Sequence, residues 1–289
     1  MSICIDRRTL LITSAALGAA SIVSACRGRR PAVATAPTSS SDVAAGASAP
    51  PATEQVITAP QPTERTTPPT SATPQTSAAA PTATSDGQLA AAQYINHGPA
   101  DAALAAITFH LGGDRRLVVR LLDLLRERQL RVTAFAIGTW ITTNPDLGHR
   151  LVDDGHELGN HTNHHRSMLD LTRDEVRAEI VDGGQALIPF IGSIGRWFRP
   201  SGTDVPTQLI LDEAGRAGYA VSVGYDIDSR DYTDPGPNAV AAAVNTAMHR
   251  GSIVSMHFGH RDTITALPKI LRNMETELIR PCTVTELIG

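Results

Sequence analysis

The chain has 289 residues and a formal net charge of −4 at neutral pH, with 42% hydrophobic and 4% aromatic residues. This weakly acidic balance argues against nucleic-acid binding, which usually requires a basic stripe. The cysteines Cys4, Cys26 and Cys282 give neither a readable disulfide framework nor a CxxC zinc pair, so a metal ion would have to be held by histidines and carboxylates.

The first 26 residues have the pattern of an export signal. Arg7-Arg8 precedes an uncharged apolar run at 10–25, which is shorter than the about 20 residues of a membrane-spanning helix. The segment 6–11 resembles a twin-arginine signal, and Val23-Ser24-Ala25-Cys26 resembles a bacterial lipobox. We therefore predict an exported lipoprotein that a lipid on Cys26 anchors at the extracytoplasmic face of the cell membrane. An ordinary signal peptide or an uncleaved anchor is the alternative.

Residues 27–87 consist almost entirely of Pro, Ala, Thr and Ser, and no aromatic residue precedes Tyr94. Such a segment cannot bury enough apolar surface to offset the loss of chain entropy on folding. It is predicted to be a disordered linker that holds the folded domain, residues 88–289, away from the membrane.

Within the folded domain, short apolar runs alternate with segments of helical periodicity. This alternation predicts an α/β domain with parallel strands. Thr172 and Glu175 are spaced as a helix capping box. Strands are predicted at 104–109, 131–137, 156–158, 196–198, 219–223, 252–256 and around 283–284, and helices around 117–125 and at 145–154, 171–188, 206–217, 237–248 and 263–277.

The stretch 159–165 contains His161 and His165, four positions apart, with His164 between them. Residues at this spacing face the same side of a helical turn, and two neutral imidazoles on one side form half of a divalent metal site. His110 and His257 each end a predicted strand. In a (β/α) barrel these strand ends share one face, so the side chains are expected to converge.

The order of the motifs resembles the polysaccharide deacetylase (NodB-homology) family of carbohydrate esterases over roughly residues 100–289. The first family motif, Thr-Phe-Asp-Asp-Gly, is replaced here by Thr108-Phe109-His110-Leu111-Gly112. His161–His165 is similar to the second motif, for which His164 is the alternative second histidine. The later motifs correspond to Phe198–Gly202, to Asp226–Tyr232 with Tyr232 where Trp is usual, and to Ile253–His257.

This resemblance implies a distorted (β/α)7-type barrel with a divalent metal, commonly Zn²⁺. It also implies removal of N- or O-acetyl groups from a polysaccharide such as peptidoglycan or chitin. The implied roles are metal ligation by His161 and His165, acid catalysis by His257 and oxyanion binding by the Ser201 backbone N–H. Arg199 and Asp231 are expected to form a supporting pair that orients the base or acid. The aromatic residues Tyr232 and Trp197 are expected to stack on sugar rings, although either could instead lie in the core.

The first motif departs from the family at the two positions that carry its general base and its third metal ligand. Leu111 cannot bind a metal, and successive strand residues point to opposite faces. His110 is therefore expected either to complete a three-histidine site or to act as the base, with Asp114 as a further candidate. Two functions follow: a metal-dependent deacetylase, or a degenerate domain that binds glycan without hydrolysis.

Overall fold

The computed structural model describes residues 90–289, so the predicted export signal, Cys26 and the predicted linker lie outside the described residues. Between residues 90 and 289, no helix has the length and apolarity that crossing a membrane requires.

The architecture is α/β, as predicted, with parallel strands and helices in the connections. The strands are β1 Gln93–Ile95, β2 Leu104–Leu111, β3 Thr133–Ala136, β4 Glu157–Asn160, β5 Val221–Val223, β6 Ile227–Asp228, β7 Ile253–His257 and β8 Arg280–Cys282. The helices are α1 Arg115–Glu127, α2 Gly138–Thr143, α3 Pro145–Asp153, α4 Arg173–Gln185, α5 Ile188–Ile191, α6 Gln208–Arg216, α7 Pro237–Ala247, α8 Arg261–Thr276 and α9 Val284–Ile288.

The sheet closes into a distorted barrel. Its central order is β4-β3-β2-β7-β6, and all of these pairings are parallel. Single parallel bridges from Asn160 to Phe198 and from Phe198 to Ser222 connect β4 to β5. Because the chain runs directly from β5 into β6, which pairs with β7, the ring of strands is completed. The carboxyl ends of these strands therefore lie at one end of the barrel.

Local sequence explains the elements nearest to that end. Strand β2 is apolar and almost wholly buried, as a central parallel strand requires. The side chain of Asp114 accepts a hydrogen bond from the Arg116 backbone N–H and caps α1. Thr172 and Glu175 form the predicted capping box at the start of α4. Asp114 is thus a helix cap and is not a member of the histidine cluster described below.

Two sequence predictions of strands were wrong. The segment 196–198 forms only an isolated bridge at Phe198. The last strand is β8, at 280–282, whereas Thr283 caps the helix that begins at Val284 and forms a capping box with Glu286. Elements β1, β6, α2 and α5 were not predicted. The helices α2 and α5, with six and four residues, are shorter than two helical turns and therefore show no helical periodicity.

Candidate metal centre and its pocket

Two neighbouring strands bring His110 and His257 together. They are in-register partners in the parallel pair β2–β7, at the carboxyl end of the barrel. Nδ1 of His110 lies 2.9 Å from Nε2 of His257, and the ring planes are nearly perpendicular, at 84°. Leu111, the next residue, is fully buried in the apolar core. The strand therefore turns His110 toward the site and Leu111 away from it, as the alternation of strand side chains predicts.

The loop after β4 supplies His161 and His165. The backbone N–H of His161 still donates to the carbonyl of Ala136, so this residue continues the sheet. Thr162 and His165 then adopt positive φ angles of 65° and 59°, which turn the chain sharply back. The Thr162 hydroxyl accepts a hydrogen bond from the His165 N–H at 3.2 Å and holds this turn together.

His110, His161 and His165 form one cluster. One ring nitrogen from each residue lies within 4.8 Å of the others, and this is the only such group of three among residues 90–289. The ring of His165 makes an edge contact with that of His161, with centroids 4.9 Å apart. His164 is not part of the cluster, because its ring binds Glu179 instead. The structure thus brings together the three predicted ligands and, of the two alternatives, favours His165.

Hydrogen bonds to the other ring nitrogens determine which atoms remain free to bind a metal. Nδ1 of His161 donates to the Arg199 carbonyl at 2.9 Å, which leaves Nε2 as a lone-pair donor. Nδ1 of His257 donates to Asp231 at 2.7 Å, so in the neutral form of this ring Nε2 accepts a hydrogen bond from the Nδ1–H of His110. The free nitrogen of His110 is then Nε2 as well.

The two freed atoms are those that a metal ion would need. Nε2 of His110 and Nε2 of His161 are both buried without a hydrogen-bond partner among the described residues. Burial, reinforced by the neighbouring imidazoles, lowers the pKa of both rings well below its usual value and favours their neutral form. Three neutral imidazoles converging on one point fit a divalent transition metal such as Zn²⁺.

Asp231 orients His257 from behind. One carboxylate oxygen binds the His257 ring, and the other accepts hydrogen bonds from the His257 backbone N–H at 2.8 Å and the Thr263 hydroxyl at 2.5 Å. Burial by itself would raise the pKa of Asp231, but these hydrogen bonds outweigh it and lower the pKa. Asp231 is therefore a buried carboxylate that can stabilise a proton on His257.

Arg199 has a different environment from the one expected. Its guanidinium donates to the carbonyls of Val223 and Gly224 and to the Thr108 hydroxyl, each at 2.9 Å. Among the described residues it forms no ion pair, with Asp231 or any other carboxylate, so the two do not act as a bonded pair. Burial lowers the pKa of this guanidinium, which nevertheless stays charged. Arg199 is a buried cation below the histidine cluster.

A pocket of about 530 Å³ opens over the cluster. Tyr225 forms part of its wall, and its hydroxyl donates to the carboxylate of Asp204. Tyr232, a predicted sugar-stacking residue, also lines the pocket and is 49% exposed. Sequence reasoning missed Tyr225, although its place directly before Asp226 at a predicted strand end was the available signal. The pocket is lined by His110, His161, His165, Pro200, Gly202, Thr203, Asp204, Tyr225, Tyr232, His257 and His260.

Two predicted substrate-binding residues, Trp197 and Ser201, are not among the residues that line the pocket. Trp197 is only 2% exposed, and its indole N–H donates to Glu157 and Thr285, so it belongs to the core and not to the pocket wall. The Ser201 hydroxyl is buried and bonded to the Arg166 carbonyl, so it faces the histidine loop. Its neighbours Pro200 and Gly202 line the pocket, and the predicted role of Ser201 concerns its backbone N–H, which this hydroxyl bond does not involve.

Comparisons with known proteins agree with this architecture. The family model for polysaccharide deacetylases matches residues 97–222. A peptidoglycan-N-acetylglucosamine deacetylase of Bacillus cereus is 32% identical over 194 residues, covering 66% of this chain and 90% of that protein. A chitooligosaccharide deacetylase of Bradyrhizobium is 31% identical over 156 residues, covering 53% of this chain and 70% of that protein.

Solved structures show the same fold. A family 4 carbohydrate esterase from Streptomyces lividans, in complex with acetate, matches with 27% identity and a TM-score of 0.56, covering 64% of this chain and 93% of that one. A pseudoenzyme of the same esterase family from Bacillus anthracis matches in fold, with 23% identity and a TM-score of 0.63, covering 68% of this chain and 69% of that one.

Proposed function

Because the chain belongs to the polysaccharide deacetylase family of hydrolases, we propose that it removes acetyl groups from a cell-envelope or extracellular polysaccharide with the help of a divalent metal. The names of its relatives support a peptidoglycan- or chitin-like glycan. The observation that carries the proposal is the convergence of His110, His161 and His165, whose ring nitrogens lie within 4.8 Å of one another. The proposed metal is Zn²⁺, which three imidazoles suit.

When bound, such an ion would polarise the acetyl carbonyl and lower the pKa of a nearby water molecule. His257 is the residue that we propose moves protons, because the Asp231 carboxylate bonded to its ring can stabilise positive charge there. A proton taken up at Nε2 of His257 would break the hydrogen bond from His110, since both nitrogens would then carry hydrogen. The His257 ring would thereby become free to donate that proton to the leaving amine or alkoxide.

The pocket walls support binding of a sugar chain. Tyr225 and Tyr232 present aromatic surface beside the histidines, and aromatic rings can pack against the apolar faces of sugar rings. The backbone N–H of Ser201 remains a proposed donor to the developing oxyanion.

The experiment is to purify the protein, measure its metal content, and follow acetate release from acetylated peptidoglycan and chitooligosaccharides. Stoichiometric zinc, together with acetate release that a chelator stops and added Zn²⁺ restores, is the expected result. Zinc-loaded protein that releases no acetate from any of these substrates would contradict the proposal.

A second function is favoured by one observation, the replacement of the family's two aspartates by His110 and Leu111. A domain without its carboxylate base could bind glycan and not cleave it. Retention on an acetylated-glycan column without acetate release would establish this function.

The proposed location is the extracytoplasmic face of the membrane, through a lipid on Cys26. A Cys26→Ser variant is expected to lose incorporation of a labelled fatty acid and to leave the membrane fraction. Unchanged labelling would contradict lipidation at this residue.

A further inference from the structure

Glu179 on helix α4 is a buried carboxylate that faces the histidine loop. It is 4% exposed, and its sole ion-pair partner among the described residues is His164, on that loop. Isolated carboxylates are costly to bury, so its position requires strong hydrogen-bond donors.

The loop supplies three such donors. The backbone N–H groups of Asn163 and His164 both donate to Oε2 of Glu179, at 3.0 and 2.8 Å. The Nδ1–H of His164 donates to Oε1 at 2.9 Å. One side chain therefore satisfies two consecutive backbone donors immediately before His165.

This stretch of loop is strained and tightly packed. Thr162 and His165, on either side of the bonded residues, both have positive φ, which costs a non-glycine residue roughly 1 kcal/mol or more. A Cβ atom on Gly183 of α4 would lie 2.7 Å from the carbonyl carbon of Thr162, so the helix packs directly against the loop. Strained backbone persists only where its surroundings hold it, and α4 provides that hold.

The same contacts separate the two adjacent histidines. The ring of His164 is directed to Glu179, whereas the ring of His165 lies against His161 and lines the pocket. Loss of the carboxylate would release both the backbone turn and the His164 ring.

We propose that Glu179 is a positioning residue for the metal centre: its carboxylate fixes the turn that presents His165, and not His164, to the ion. This inference rests on the proposed metal-dependent function. Glu179 itself touches no ligand ring, so its effect passes through the backbone of residues 163 and 164.

Two variants of similar size test the proposal. Glu179→Gln keeps one oxygen that can accept both backbone N–H bonds, whereas Glu179→Met fills the space but accepts none. We expect the Zn²⁺ affinity, measured by competition with a chromophoric chelator, to stay within about threefold for the glutamine variant and to fall about 10–100-fold for the methionine variant. The visible spectrum of bound Co²⁺ should change only in the methionine variant.

Glu213 on α6 supplies the matched control. It is also fully buried, but it binds Arg173, Arg177 and Arg216 and no residue of the histidine loop. Glu213→Met is expected to lower the Tm without changing Zn²⁺ affinity or the Co²⁺ spectrum. If Glu179→Met does not fold, Glu179→Ala replaces it. An unchanged Zn²⁺ affinity in Glu179→Gln together with a weakened Zn²⁺ affinity in Glu179→Ala would then support the proposal.

The possible failures are distinguishable. Wild-type protein that binds no Zn²⁺ would overturn the metal centre and this inference together. Wild-type protein and Glu179→Met that bind Zn²⁺ equally well would overturn the role of Glu179 alone. Glutamine and methionine variants that lose affinity equally would also overturn it, because backbone acceptance would then not be the cause.

Discussion

Nδ1 of His110 is 2.9 Å from Nε2 of His257, and this contact joins a candidate metal ligand to the carboxylate of Asp231. Asp231, His257 and His110 form a chain of hydrogen bonds. The carboxylate of Asp231 holds the proton of the His257 ring on Nδ1, and the free Nε2 of His257 then holds the proton of the His110 ring on Nδ1. The family's usual aspartate could not take part in this way, because a carboxylate has no N–H to donate. His110 stands where the family has its general base, and here this candidate ligand is bonded directly to His257, the residue proposed to transfer protons.

The first prediction concerns His110 itself. Because it supplies one of three clustered nitrogens, His110→Ala should weaken Zn²⁺ binding by at least about 100-fold. Chelator competition measures this change, and His249→Ala, an exposed histidine outside the cluster, serves as control. Retained zinc with lost acetate release would instead identify His110 as the base.

The second prediction separates His164 from His165. His165→Ala should lose tight Zn²⁺ binding, since it removes a clustered nitrogen. His164→Ala should keep its affinity within about threefold, because the two backbone bonds to Glu179 remain. The reverse pattern would show that the loop rearranges around the ion.

The third prediction tests the hydrogen-bond chain. In Asp231→Asn, the amide can donate to Nδ1 of His257, so the proton of the His257 ring moves to Nε2. Nε2 of His257 then donates to Nδ1 of His110, and the proton of the His110 ring moves to its own Nε2. A ring nitrogen that carries hydrogen cannot bind a metal, so Zn²⁺ affinity should fall about 10–100-fold together with activity. Isothermal titration with Zn²⁺ gives the affinity. Full affinity in this variant would show that Asp231 does not determine the protonated nitrogen of His110.

The fourth prediction concerns stability and pH. Burial lowers the pKa of His156 from 6.5 to about 4. Between these values the unfolded chain binds a proton that the folded chain does not, so the free energy of unfolding falls as pH decreases. Above pH 6.5 neither state binds this proton, and the free energy of unfolding has its full value. By about pH 4, proton binding to the unfolded chain has lowered the free energy of unfolding by about 3 kcal/mol.

Urea denaturation of chelator-treated protein at pH 7 and pH 4.5 measures this effect. His156→Gln should lose less stability between the two pH values than the wild type, because the uncharged amide replaces the titrating ring. His149→Gln, at an exposed position on α3, should behave as the wild type does. Equal losses in all three proteins would exclude His156 as the source.

The sequence was sufficient to predict the parallel α/β domain and the histidines at its strand ends because both depend on local patterns, whereas the barrel was predicted from the family resemblance. Strands as apolar as β2 and helices as long as α1 carry clear periodicities. His161 and His165 share a short loop, and His110 and His257 stand at strand ends, where barrels gather polar groups.

The remaining features depend on contacts between distant parts of the chain. The bond between His110 and His257 joins residues 147 positions apart, and no local pattern encodes it. Likewise, the carbonyl acceptors of Arg199 could not be read from its motif. Trp197 was assigned to sugar stacking on its residue type, but its depth in the core follows from the packing of the whole barrel.

The pairing of β2 with β7 has a consequence for folding. Parallel strands that slip by one residue exchange the faces of all their side chains. A slip of β7 would place Met256 or Phe258, both buried apolar residues, opposite His110 and would carry His257 into the hydrophobic interior. Correct pairing of the two central strands and correct assembly of the candidate site are consequently a single event, and a misaligned chain would lose both.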